Sequence, residues 1–183
     1  MRHNQRVRGS VLIATTANLV IALATYIYYG WNAIGGAVAA RNTARFSALF
    51  FAVALAAHFH SRYGRDYLAL IKGFIAAHIV HFGTVIAYHQ ILGKLGTPMF
   101  WGIASTGTAL LAAIALTMTK APRTHLGLTY VVWLAFMVAL GSNAMKRFVV
   151  DGPFVAVVAL AMVLHVVIAV RLRKISASAA SAT

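Results

Sequence analysis

Six long apolar stretches follow one another along the chain, separated by short connections that are basic or marked by glycine. They cover residues 11–29, 42–59, 67–88, 100–117, 126–144 and 153–170. Each is about 18–22 residues long, close to the roughly 20 a helix needs to cross about 30 Å of hydrocarbon. None shows the strict apolar–polar alternation of a membrane strand. The pattern therefore predicts an all-α polytopic membrane protein, a six-transmembrane-helix bundle. The second stretch is the least apolar, because Arg41 and Arg45 stand at its start. The predicted connections are residues 30–41, 60–66, 89–99, 120–125 and 145–152, punctuated by Gly35-Gly36, Gly93, Gly96-Thr97-Pro98 and Gly152-Pro153. Connections this short make neighbouring helices run antiparallel. Residues 1–174 form one transmembrane domain, and the Ser/Ala-rich residues 175–183 a flexible tail.

Composition agrees with this pattern. The chain has 183 residues, 61% hydrophobic and only 10% charged, whereas a soluble domain averages about 45–50% apolar and about 25% charged. Its net charge is +14, with two acids, Asp66 and Asp151. The basic residues lie between apolar runs, so the expected partner is an anionic lipid surface and not nucleic acid. Ten Lys and Arg fall in the termini and connections of one side: Arg2, Arg6, Arg8, Arg62, Arg65, Lys120, Arg123, Arg171, Arg173 and Lys174. Five fall on the other: Arg41, Arg45, Lys94, Lys146 and Arg147. The excess places both termini in the cytoplasm, and a bacterial inner membrane is the expected location. Lys72, one turn inside the third span, can snorkel to the inner surface. The basic start followed by an apolar run has the order of a signal peptide, but the run is long and ends in Tyr26, Tyr28, Tyr29 and Trp31, so a retained helix is expected.

Several chemistries drop out. With no cysteine, disulfides, thiolate metal sites and iron–sulfur clusters are excluded. No acid lies inside an apolar stretch, and no G-x-G-x-x-G or P-loop occurs. The remaining candidates are histidines, since an ionisable residue at membrane depth marks a functional site. His78 and His81 are three residues apart and share a helix face. His89 returns to nearly that face about three turns on, roughly 16 Å further out. His165 lies in the inner half of the sixth span. Neutral imidazole is a common ligand of haem iron or of a bare metal ion, and histidines at two depths suit a transmembrane haem pair. The alternative for each is a hydrogen bond to a neighbour, with Asn18, Ser105, Thr106 and Thr108 as candidates. His58, His60 and His125 lie near the interfaces, where histidine needs no special role. Ser142 and Asn143 read as a helix end, and Arg41 and Arg45 as contacts for lipid headgroups or a haem propionate.

Arg45-Phe46-Ser47-Ala48-Leu49, Arg65-Asp66-Tyr67-Leu68-Ala69-Leu70 ahead of His78, and His125-Leu126-Gly127-Leu128-Thr129-Tyr130-Val131-Val132-Trp133 occur in an order that resembles the ferric reductase-like transmembrane domain family, over about residues 42–148. The resemblance implies a six-helix core with cytoplasmic termini, b-type haem, and electron transfer across the membrane. The electrons would come from a separate reductase and pass to quinone or an external acceptor. The family's ligands on its fifth helix fall here on Leu134 and Arg147, neither of which binds iron. Met137 matches the depth of His78 and is the replacement ligand to consider. Two other classes stay open: a haem-free protein that binds or transports a small molecule or metal ion, and an accessory scaffold subunit, with an oligomer compatible with each.

Overall fold

The computed structural model describes residues 2–57, 64–120, 122–145 and 148–180. The described chain is helical throughout: α1 Arg2–Tyr29, α2 Ala33–Ala57, α3 Gly64–Ile91, α4 Pro98–Lys120, α5 Pro122–Ala144 and α6 Phe148–Ala180. Five of these, all but α2, are long and apolar enough to cross a membrane. Their outward faces carry large apolar side chains such as Leu12, Ile79, Leu116, Val138 and Leu160, each more than half exposed. In water such a surface would drive aggregation; in lipid it is the expected exterior.

Helix α2 lies at the centre. It packs on α1, α3 and α6, and the remaining neighbours are α1 with α3, α4 with α5 and α5 with α6. Contact between α3 and α4 is sparse. The close seams are made by small residues. A methyl group on Gly36 would meet the Tyr88 ring at 2.9 Å, and one on Gly73 would meet the Phe50 ring at 2.7 Å. These two glycines let α2 lie against α3. The apolar core follows the same seam, with Phe51, Leu55, Ile71, Phe74 and Ile114 fully buried.

The helices are longer than the apolar stretches, α1 reaching back to Arg2, and three of the differences change the reading. The second helix begins at Ala33, inside the stretch expected to be a loop. Its start is fixed by Asn32, whose side chain accepts from the amides of Ile34 (2.9 Å) and Gly35 (3.0 Å), an N-cap that satisfies two otherwise unpaired donors. Arg41 and Arg45 thus lie within α2, not at its mouth. The last helix begins at Phe148 and carries Asp151 and Pro153 within it. Pro153 lies close enough to the helix start that one backbone bond is lost and the helix continues. Finally, α6 runs to Ala180, into the segment expected to be a flexible tail.

Candidate functional site

The weak α3–α4 seam leaves space inside the bundle. A cavity of about 290 Å³ lies between α3, α4 and α5, walled by Phe74, Phe82, Gly107, Leu110, Leu111, Val132, Ala135, Phe136, Ala139 and Leu140, with Ala44 of α2. Its only polar side chains are His78 and His81. Their i, i+3 spacing sets the rings 5.0 Å apart on one face of α3. The His78 ring is caged by aromatics, with Phe82 at 4.8 Å, Phe74 at 5.5 Å and Phe136 at 5.5 Å, the last edge to face. Phe82 is seated against the backbone of α4, since a methyl on Gly107 would approach its ring to 2.6 Å.

The two imidazoles are held differently. His81 Nδ1 lies 3.1 Å from Thr43 Oγ1. Thr43 has one proton and two helix carbonyls within reach, Ala39 at 2.8 Å and Ala40 at 3.1 Å. With that proton on a carbonyl, Thr43 accepts from His81 Nδ1–H, the tautomer that leaves Nε2 a bare lone pair. Thr84 and Asn18 complete a buried polar seam here. Thr84 Oγ1 lies 2.9 Å from Thr43 Oγ1, and Asn18 Nδ2 donates to the Ala77 carbonyl at 2.6 Å and to Ser47 Oγ at 3.4 Å. His78 has no such support: its Nδ1 is buried with no hydrogen-bond partner. An orphaned lone pair is tolerated better than an orphaned N–H, so the proton belongs on Nε2.

The other sequence candidates lie apart from this cavity. His89 is half-buried at the far end of α3, 4.7 Å from the Phe100 ring, and its Nδ1 is likewise buried without a partner. His165 is buried on α6 with both nitrogens engaged. Nδ1 donates to the Leu55 carbonyl at 3.4 Å, and Tyr130 Oη donates to Nε2 at 3.1 Å. His125 repeats the arrangement, with Nδ1 donating to the Ile114 carbonyl at 3.2 Å and Tyr67 Oη donating to Nε2 at 2.6 Å. Each of these tyrosine–histidine pairs ties three helices together. Met137 packs at the edge of the core and is not among the residues that wall the cavity. Its neighbour Phe136 faces His78 instead, because successive residues on a helix point about 100° apart. Leu134 is more than half exposed. His58, His60 and Arg147 lie outside the described residues, as do the side chains of Ser142 and Asn143.

Of the hydroxyl partners expected for the histidines, none on α4 is used. Ser105 bonds the Gly102 carbonyl of its own helix, and Thr106 and Thr108 are exposed. The hydroxyl that reaches His81 is Thr43 of α2, at the start of the expected second span but ten residues inside the observed helix. The other unforeseen element is an ion pair. Arg45 Nε donates to Asp151 Oδ1 at 2.8 Å, joined by Nη2, while Nη1 donates to Asn42 Oδ1 at 3.0 Å. The guanidinium is therefore occupied inside the bundle.

A haem held from both sides does not fit these residues. Across the cavity from His78 the α5 wall is Val132, Ala135, Phe136, Ala139 and Leu140, and none of them ligates iron. Among the described residues, no three His, Asp or Glu side chains come together as a metal site. No family model, curated protein or solved structure matches this chain.

Proposed function

We propose that this protein is a membrane ligand-binding protein of the binding or transport class. Its α3–α4–α5 cavity takes a small, mostly apolar molecule with one hydroxyl group. The observation that supports this reading is the histidine pair on an otherwise apolar wall: His78 offers an Nε2–H donor, and His81 an Nε2 acceptor. A hydroxyl is both acceptor and donor, so it answers both rings. A volume of about 290 Å³ is near the lower end of the roughly 300–1,000 Å³ typical of small-molecule sites. In this reading all six helices span a bacterial inner membrane, with both termini cytoplasmic. Helix α2 can do so despite its arginines because it is surrounded by other helices and Arg45 is neutralised by Asp151.

The test uses 1-naphthol and naphthalene as probes, with the protein in lipid nanodiscs. The expected result is tighter binding of naphthol by roughly tenfold, the worth of one or two buried hydrogen bonds. His78→Phe should remove that preference and leave naphthalene binding in place. Equal binding of the two probes would refute the reading. A reduced-minus-oxidised b-type absorbance band in the same preparation, lost in His78→Ala, would establish instead the haem protein that the motif resemblance implies.

A further inference from the structure

A second concavity lies at the other side of the bundle, where α1 and α2 splay apart at the end bearing the N-terminus. It measures about 700 Å³ and opens to the exterior between Arg6, Ser10 and Ile13 of α1 and Val53, Ala56 and Ala57 of α2. Its floor is α3. Ser10 and Phe50 both rest on Gly73, where a methyl group would meet the serine hydroxyl at 2.5 Å and the ring at 2.7 Å. The walls are almost wholly apolar, and the one charged lining residue, Arg6, stands at the mouth. The stretch from Arg6 to Ile13 covers about 10 Å along α1, enough for the upper part of an acyl chain.

We propose that this groove is a binding site for one anionic phospholipid of the leaflet on the N-terminal side. An acyl chain lies along Ile13, Val53 and Ala56, and the phosphate-bearing headgroup meets Arg6. Charge complementarity selects the occupant: Arg6 stands at the mouth, the same end of α1 carries Arg8, exposed on another face, and the whole chain is at +14. Arg6 also interacts within the protein, and the five N–H donors of a guanidinium let it engage a phosphate as well. The Ser10 hydroxyl is buried at the floor with no hydrogen-bond partner among the described residues, one turn deeper than Arg6, at the level of the ester region of the lipid. A zwitterionic lipid would fill the same groove without the net attraction, which is worth about 1 kcal/mol per basic residue near an anionic surface.

The experiment is native mass spectrometry of the full chain released from nanodiscs of equimolar phosphatidylglycerol and phosphatidylcholine. Retained lipid should favour phosphatidylglycerol by roughly fivefold per basic residue engaged. Arg6→Gln should reduce that preference by about that factor, and Arg6→Lys should keep most of it. Ala56→Phe, which fills the groove, should reduce retention of both lipids. Elution as a single species and an unchanged melting temperature establish folding of each variant, with Val53→Trp as the second filler should Ala56→Phe misfold. Equal retention of the two lipids would overturn the proposal. So would an unchanged preference in Arg6→Gln, full retention in a folded filler, displacement by inorganic phosphate alone, or a second copy of the chain in the groove in place of lipid.

Discussion

The Arg45–Asp151 pair should be among the most consequential single contacts in the bundle, and its two halves should be unequal. It joins the central helix α2 to α6 across 106 positions of sequence. The side chains are 15% and 3% exposed, respectively. Removing one partner of a buried pair strands a charge and costs about 3–5 kcal/mol. After Asp151→Asn, Arg45 keeps its bond to Asn42 and its position over the Phe154 ring, 5.3 Å from the centroid. It also retains some exposure through which to snorkel. The cost should sit at the low end, about 3 kcal/mol. After Arg45→Gln, Asp151 keeps almost no exposure, and its Oδ2 already lacks a partner. That cost should approach about 5 kcal/mol.

Reversible unfolding by titration with sodium dodecyl sulfate reads these free energies directly, and the double variant Arg45→Met/Asp151→Leu completes the cycle. The double variant should be far more stable than the sum of the two single losses, because it leaves no stranded charge. Single losses below about 1 kcal/mol, the range of an exposed pair, would refute the reasoning. So would a larger loss for Asp151→Asn than for Arg45→Gln, or strict additivity.

Two further outcomes follow from the packing and from the proposed topology. Gly36→Ala should destabilise by about 1–3 kcal/mol, since its methyl meets Tyr88 at 2.9 Å, side chain and backbone both being close. Gly83→Ala, whose methyl would meet nothing within 4 Å, should be neutral or gain up to about 1 kcal/mol from helix propensity; thermal unfolding in detergent compares the two. The native chain has no cysteine, so single substitutions report topology cleanly. Lys94→Cys in intact cells should react with a membrane-impermeant maleimide, and Arg8→Cys should react only after permeabilisation.

The parts of the site legible in the sequence were those set by local geometry. His78 and His81 share a face because any helix puts residues three apart side by side, and their cavity position needed only the neighbouring helices to stand off. The start of α2 was not legible in this way. The apolar run starts at residue 42 with Arg41 and Arg45 at its outer end, and nothing nearby in sequence reveals that Asp151 neutralises one of them. The same distant pairing hid Asp151 itself, which Gly152-Pro153 made look like part of a turn. His125 was discounted as interfacial, yet it is 4% exposed and bonded to Tyr67, 58 residues away. In each case the missing term is a long-range polar contact, whose partners a hydrophobic pattern does not record.

The distribution of those contacts separates the bundle into two kinds of interior. On the α1–α2–α3 side, Asn18, Thr43, Ser47, Thr84 and His81 meet one another or a backbone carbonyl, and glycines bring the helices close. In a hydrocarbon surrounding, that combination resists opening, because each separated polar group would lose its partner without gaining water. On the α3–α4 side no hydrogen bond between side chains ties the helices among the described residues, the contact is sparse, and Phe82 also lines two further cavities along the same seam, of about 160 Å³ and 520 Å³ in volume. Motion that admits a ligand has the least to break there. His78 and His81 lie on the one helix common to both halves, so the rigid half holds His81 through Thr43 while the loose half supplies the space beside both rings.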